Sequence, residues 1–365
     1  MKLLTGRTKE QLMELGAVHT AQEIYSQPQK WREVVDIYRD WEPGELYLST
    51  NDSYEKIIFV GAGSSEFAGG FVASYLKLHL KTNVISLSTA DIVENPTLHL
   101  NESEKILMVS FARSGNSPES VACIEIANHL CSNIQHLFIT CNRDGALYKL
   151  ALTHNKYDAM LMPQGTNDVG FAMTSSISSM MMAALCIFMP KGFEASIIEV
   201  ADAVDSLLEQ YSISAQDIAR QDFDRIVYLG SGALKSIAQE GALKMLELTA
   251  GKVACQFDSP LAYRHGPKSF ITSNTYIISL FSKGVYTVQY DKDVYEEIIN
   301  DGIGYTTKIN VDDISSDLLA FPYLVFAQLV ALEKSIHEHV LPDTPCPTGE
   351  VNRVVQGVTI FPFTK

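Results

Sequence analysis

Lys56-Ile57-Ile58-Phe59-Val60-Gly61-Ala62-Gly63 and Arg225-Ile226-Val227-Tyr228-Leu229-Gly230-Ser231-Gly232 share one pattern: a basic residue, four apolar residues and Gly-x-Gly. A segment of helical composition follows each copy. A short apolar run bounded by glycine is typical of a strand, and alternation with helices is typical of α/β units. The two copies lie too far apart for a solenoid repeat. The sequence therefore predicts an internal duplication, with two α/β domains that each begin with a strand, a glycine turn and a helix.

Further apolar runs alternate with predicted helices along both halves of the chain. They lie at 84–87, 106–109, 137–140, 159–162, 276–281 and 306–311. Such alternation predicts an α/β fold with a doubly wound parallel sheet in each domain. Ligands of such folds bind at the carboxyl ends of the strands.

Helical patterns set the expected domain boundaries. We expect an N-terminal helical segment at 1–45, a first domain at 46–195, a linking helix at 196–221 and a second domain at 222–365. Thr20-Ala21-Gln22-Glu23 has the capping-box pattern, and Pro28 is expected to break the helical run. A helix near Tyr323–Val340 precedes the C-terminal tail.

Composition excludes several classes of partner. The chain has 365 residues, 46% of them apolar, and a net charge of −15, which disfavours nucleic acid and anionic membranes. The longest apolar stretch, Ser178–Pro190, is too short to span a bilayer and predicts a buried core helix. The start of the chain lacks the apolar core of a signal peptide. The six cysteines form no C-x-x-C pair, which favours reduced thiols in a cytoplasmic protein.

Polar residues crowd the turn Ser110-Phe111-Ala112-Arg113-Ser114-Gly115-Asn116-Ser117-Pro118-Glu119-Ser120, between a predicted strand and a predicted helix. Unpaired N–H groups at a helix N-terminus attract anions, phosphate included. Ordinary N-capping is the alternative, but one cap does not require so many polar residues. The counterpart in the second copy, 279–286, keeps a strand and a glycine but lacks the Ser/Asn cluster. This asymmetry predicts a phosphate site in the first domain only.

The two Gly-x-Gly turns could also indicate a dinucleotide site. Glu66 and Lys235 occupy the third glycine position of G-x-G-x-x-G, and no acidic residue ends an obvious next strand. We therefore do not expect a Rossmann cofactor.

Titratable side chains cluster in the second domain. Glu240, Lys244 and Glu247 share one face of a predicted helix, where routine surface ion pairs are the alternative interpretation. His265 follows in a loop that we expect to be rigid and non-helical. A carboxylate with a nearby histidine suits proton transfer at carbon and sugar-ring opening.

These motifs resemble the SIS (sugar isomerase) domain family. The run from Glu240 to Glu247, followed by His265-Gly266-Pro267, is similar to the isomerase half of glucosamine-6-phosphate synthase. Glu23-Ile24-Tyr25-Ser26-Gln27-Pro28, Ser65 and Ser114-Gly115 fit the same family. The stretches 254–270 and 351–359 resemble its branch of tagatose-6-phosphate ketose/aldose isomerases, which is associated with galactosamine-6-phosphate deamination. The resemblance covers nearly the whole chain and implies two tandem flavodoxin-like SIS domains, without the synthase's glutamine-hydrolysing half.

The resemblance also implies roles for individual residues. The phosphate cradle falls on Ser65, Arg113, Ser114 and Ser117, to which we add Asn116. Glu247 is the expected proton-shuttling base and His265 the ring-opening acid/base. Lys244 and Glu240 would contact or orient the sugar. In the tail, Gln356 is the expected substrate contact.

Three positions depart from the family pattern. Ala112 stands where a cradle hydroxyl is expected, and Arg113 where a small polar residue is expected. Arginine can still bind phosphate bidentately. Gln356 replaces a lysine that handles the sugar in the synthase, so a direct copy of the synthase reaction is not expected.

The resemblance implies an amino-sugar 6-phosphate deaminase/isomerase that converts galactosamine-6-phosphate into tagatose-6-phosphate and ammonia. No metal or organic cofactor is needed, and the expected ligand is a small sugar phosphate. A homodimer or higher homo-oligomer is expected. His265 could come from the same or a neighbouring subunit. A plain ketose/aldose isomerase, a fructosamine-6-phosphate deglycase and a non-catalytic sugar-phosphate sensor are the alternatives. The sensor is disfavoured because residues 1–45 show no helix-turn-helix pattern, whereas Glu247 and His265 are present.

Overall fold

The computed structural model describes residues 4–43, 54–311, 314, 318–354 and 357–363. Its strands are β1 (Lys56–Gly61), β2 (Asn83–Ser88), β3 (Ile106–Ala112), β4 (Ile134–Thr140), β5 (Tyr157–Leu161), β6 (Arg225–Gly230), β7 (Ala254–Asp258), β8 (Thr275–Leu280) and β9 (Tyr305–Ile309). Its helices are α1 (Lys9–Glu14), α2 (Val18–Asp40), α3 (Ser64–Leu76), α4 (Thr89–Glu94), α5 (Pro96–His99), α6 (Pro118–Leu130), α7 (Ala146–Ala151), α8 (Ser175–Phe188), α9 (Glu194–Ala219), α10 (Leu234–Leu248), α11 (Pro260–Tyr263), α12 (Thr287–Asp301) and α13 (Ala320–His337).

The chain divides into two compact units. The first-sheet unit comprises Gln29–Asp168, Ser175–Ile197 and Gly349–Lys365, and the second-sheet unit comprises Met1–Pro28, Val169–Thr174 and Ile198–Thr348. Each unit is discontinuous along the chain, whereas the domain boundaries expected from the sequence are linear. Those boundaries remain a prediction.

Both sheets are parallel. The first has the order β2-β1-β3-β4-β5 and the second has the order β7-β6-β8-β9. Over four strands the two orders are equivalent, because in each sheet the first strand along the chain lies between the second and the third. The predicted α/β class, with two parallel sheets and an N-terminal helical segment, is confirmed.

Burial explains the most apolar elements. Every residue of β3 is buried, as expected for a central strand covered on both faces. Every residue of α8 is buried as well, so the apolar stretch after Ser178 forms a core helix, as predicted. Within the described parts of the chain, no helix is long and apolar enough to cross a membrane.

Two local predictions about the N-terminal segment are wrong. Pro28 does not break the helix, because α2 continues through it to Asp40. Trp31, Val34 and Val35 are fully buried beyond the proline, and this packing outweighs the backbone hydrogen bond that proline removes. Thr20 lies inside α2 rather than at its N-cap. Its N–H and Oγ both donate to the Asp343 carboxylate, at 2.8 and 2.7 Å.

Candidate active site

The turns after β1 and β3 lie at one edge of the first sheet. The two strands are parallel neighbours, with Val60 paired to Ser110, so both end at the carboxyl edge. Gly61 is required at the end of β1, because a Cβ there would lie 2.5 Å from Ser65. This close approach sets Ser65, which is 5% exposed, in the first turn of α3.

Local hydrogen bonds hold the polar side chains of the turn after β3. Ser117 Oγ caps α6 by accepting from the Ser120 N–H at 3.3 Å. Ser114 Oγ accepts from the Asn116 N–H at 3.3 Å, and Asn116 Oδ1 accepts from the Ala146 N–H at 2.9 Å. N-capping therefore accounts for part of the polar cluster. Capping does not exclude anion binding, because the turn lies at the carboxyl edge of a parallel sheet, where ligands of such folds bind.

Arg113 has a partner that the sequence did not predict. The side chain is buried, with 8% exposure, and Nη2 donates to the Arg353 carbonyl oxygen at 2.5 Å. Arg353 belongs to the C-terminal tail of the same unit. In the sequence, Arg353 stands out only as the single arginine of residues 349–365. The predicted tail contact, Gln356, lies outside the described residues.

Glu240, Lys244 and Glu247 do meet on α10 of the second-sheet unit. Lys244 Nζ lies 3.4 Å from Glu240 Oε1 and also forms an ion pair with Glu247. The Glu240 and Lys244 side chains are fully buried, whereas 26% of the Glu247 side chain is exposed. The interpretation as a routine exposed helix face is therefore wrong.

Electrostatics keep Lys244 charged. Burial alone would lower the pKa of its ammonium group, but the attraction of Glu240 and Glu247 outweighs burial, and the pKa is raised above its usual value. The cluster thus contains one shared cation and two carboxylates. It presents only Glu247 to solvent.

His265 lies in the same unit as this cluster but on a different element. It occupies the exposed turn between α11 and a 3₁₀ turn at Pro267–Phe270, so short helical turns flank a segment that the sequence predicted to be non-helical. Arg264 and Lys268 on either side both form ion pairs with Glu297. Among the described residues, no hydrogen bond or ion pair joins the His265 side chain to Lys244 or Glu247.

The corresponding edge of the second sheet holds an internal carboxylate. Asp291 of α12 is 2% exposed and accepts from Ser231 Oγ in the turn after β6. It also accepts from the Ser282 N–H and Oγ, at 2.9 and 2.7 Å, in the turn after β8. In the second sheet, the Asp291 carboxylate thus lies between the turns after β6 and β8. The corresponding turns of the first sheet, after β1 and β3, carry the predicted phosphate site. No group of three or more His, Cys, Asp or Glu side chains in the described ranges is arranged to hold a metal ion.

Fold and sequence together define a protein with SIS domains, because residues 52–190 match the SIS domain. A relative from Shewanella sp. (strain ANA-3), named D-galactosamine-6-phosphate deaminase AgaS, is 39% identical over 98% of this chain and 95% of its own length. The crystal structure of tagatose-6-phosphate ketose/aldose isomerase from Escherichia coli has a TM-score of 0.85 and 36% identity, covering 95% of this chain and 97% of that one.

A more distant relative, glutamine–fructose-6-phosphate aminotransferase (isomerizing) from Halobacterium salinarum, is 24% identical over 72% of this chain and 45% of its own length.

The identity to the Shewanella relative over nearly the whole chain shows the family. The chain belongs to the AgaS family of SIS-domain enzymes. The resemblance drawn from the motifs is confirmed.

Proposed function

We propose that this protein is an amino-sugar 6-phosphate deaminase/isomerase that converts galactosamine-6-phosphate and water into tagatose-6-phosphate and ammonia. The name and 39% identity of the Shewanella relative support this substrate. The observation that carries the proposal is the α10 cluster. There a buried, charged lysine holds a partly exposed carboxylate in one position, and a positioned carboxylate can serve as a general base.

Phosphate binding is proposed for the first-sheet unit. Ser65, Ser114, Asn116 and Ser117 offer hydroxyl and amide groups in turns at the carboxyl edge of the sheet, and Arg113 supplies positive charge. The N-terminus of α6 adds backbone N–H groups and a favourable dipole. Gln356 is proposed as a further contact to the sugar.

Proton transfer is proposed for the second-sheet unit. His265 assists opening of the sugar ring, which exposes the C1 aldehyde. The Glu247 carboxylate removes the proton from C2 while O1 takes up a proton from water, which gives the enolamine. Return of the first proton to C1 converts the enolamine into an iminium ion, the protonated imine, at C2. Water adds to the imine and ammonia leaves, which yields the ketose. Glu240 and Lys244 orient the sugar and hold Glu247 in place.

Several finer predictions belong to this proposal. We expect hydrolysis of the imine as the last step, a cytoplasmic location and a homo-oligomer of at least two subunits. The equivalent strand orders of the two sheets support an internal repeat.

Ammonia release from galactosamine-6-phosphate and from glucosamine-6-phosphate tests the function. We expect faster release from galactosamine-6-phosphate, and a loss of about 10²–10⁴-fold in Glu247→Gln, the range for a positioned base. Glu296→Gln, an exposed position on α12, is the matched control. If the enzyme interconverts galactose-6-phosphate and tagatose-6-phosphate but releases no ammonia from either amino sugar, the plain isomerase is favoured. Binding of these sugar phosphates without turnover would favour the sensor.

A further inference from the structure

Arg353 ties the C-terminal tail to the loop that follows β5. Its Nε donates to the Asp168 carbonyl oxygen at 2.8 Å, and its Nη2 contacts the carbonyl oxygens of Asn167 and Asp168. Nη2 also lies 3.3 Å from Asn167 Oδ1. A guanidinium group can donate five hydrogen bonds in a fixed plane, so this one side chain spans two successive backbone carbonyls.

The loop that receives Arg353 is itself firmly held. Both oxygens of the Asp168 carboxylate accept hydrogen bonds at the N-terminus of α8, from the N–H groups of Ser175 and Ser176 at 3.1 and 3.0 Å. The hydroxyls of the same two serines also donate to it. Asp168 has a positive φ of 22°, which is uncommon for a residue other than glycine. Arg353 is thus anchored to a rigid part of the first-sheet unit.

The backbone of Arg353 makes the second connection. Its carbonyl oxygen accepts from Arg113 Nη2 at 2.5 Å, and Arg113 lies in the turn between β3 and α6. The Arg353 side chain therefore fixes the position of an acceptor for the buried Arg113 guanidinium. Arg113 lies in the turn assigned to phosphate, and a guanidinium group can donate to a carbonyl oxygen and to a phosphate oxygen at the same time.

We propose that Arg353 is a positioning residue that couples phosphate binding at the Ser110–Ser120 turn to the position of the C-terminal tail. The ligand rests on the proposed function, since phosphate is the part of the substrate assigned to this turn. The coupling acts through Arg113, which contacts both the tail and the phosphate. Because coupling between two sites is reciprocal, phosphate holds the tail more firmly, and a correctly held tail tightens phosphate binding.

Hydrogen exchange with inorganic phosphate tests the coupling directly. Phosphate is expected to slow amide exchange in the turn and, by at least about fivefold, in peptides from residues 349–363 of the wild-type enzyme. In Arg353→Ala, phosphate still slows exchange in the turn but leaves the tail unchanged. Arg353→Lys restores little of the effect, because one ammonium group cannot span both carbonyls. Arg39→Ala, an exposed arginine of the same unit, is the control.

Kinetics separate positioning from a general loss of structure. Arg353→Ala is expected to raise the KM for the sugar phosphate and the inhibition constant of inorganic phosphate by a similar factor, in protein that urea denaturation shows to be folded. Equal slowing of tail exchange by phosphate in wild type and Arg353→Ala would overturn the inference. So would phosphate protection confined to the turn in the wild-type enzyme. Ammonia release is measured separately, so coupling without ammonia release would contradict the proposed function and leave the coupling intact.

Discussion

The ammonium group of Lys244 contacts the carboxylate of Glu247 one turn along α10, although Lys244 is fully buried and 26% of the Glu247 side chain is exposed. A long, flexible lysine side chain loses its rotamer freedom when it is buried in this way. It therefore acts as a fixed positive charge beneath an accessible carboxylate. Glu240, at 3.4 Å on the other side, balances that charge inside the protein.

Lys244→Met is expected to destabilise the protein by about 3–5 kcal/mol, because it leaves the buried Glu240 carboxylate without its cation. The double variant Lys244→Met/Glu240→Gln removes both charges and should recover part of the loss. Urea denaturation of the two variants and the wild type measures the difference. A double variant no more stable than Lys244→Met would contradict the assigned ion pair.

Patterns with local causes were predictable from the sequence. The spacing of Glu240, Lys244 and Glu247 places them on one helix face whatever the rest of the fold does. The alternation of apolar runs and helices predicted both sheets. Burial of the α10 face could not be predicted, because the composition of that segment suits an exposed helix equally well. Arg353 could not be assigned either, since its partner Asp168 lies 185 residues away in the chain.

His136 makes the stability of the first-sheet unit dependent on pH. The side chain is fully buried, and burial, with a smaller effect from Lys156, lowers its pKa to about 3. In the unfolded chain the pKa is about 6.5, so between these values only the unfolded state binds the proton. The free energy of unfolding should therefore fall by up to about 1.4 kcal/mol per pH unit as the pH drops below 6.5.

The variant that removes this titration is His136→Phe, which places a ring beside Phe138 and Tyr157. Urea denaturation at about pH 6 and about pH 5 should show a shallower pH dependence for the variant than for the wild type. His79→Phe, at an exposed histidine, should keep the wild-type slope. Equal slopes in all three proteins would show that His136 titrates normally in the folded state.

Ser117 allows capping and phosphate binding to be separated. Ser117→Ala removes the acceptor of the Ser120 N–H and should cost about 1 kcal/mol of stability. Ser117→Asp keeps an acceptor and places a negative charge at a helix N-terminus, so stability should stay close to that of the wild type. The same charge repels phosphate, and the affinity for inorganic phosphate should fall at least about tenfold.

Isothermal titration with inorganic phosphate and urea denaturation measure the two effects of these variants. Thr8→Asp changes the N-cap of α1 in the same way in the other unit and should leave phosphate affinity unchanged. Wild-type phosphate affinity in Ser117→Asp would count against a phosphate site at this turn and leave N-capping as the role of Ser117.

Asp291 is expected to stabilise the second sheet as an internal anion. In Asp291→Asn, an amide group replaces one carboxylate oxygen and faces the donors of Ser231 or Ser282, so one of them loses its acceptor. Loss of a buried hydrogen bond to a charged group should cost about 1–3 kcal/mol. The neighbouring variant Asp293→Asn, exposed on the same helix, should change stability by less than about 0.5 kcal/mol. Equal urea midpoints for the two variants would mean that the carboxylate contributes nothing that an amide cannot replace.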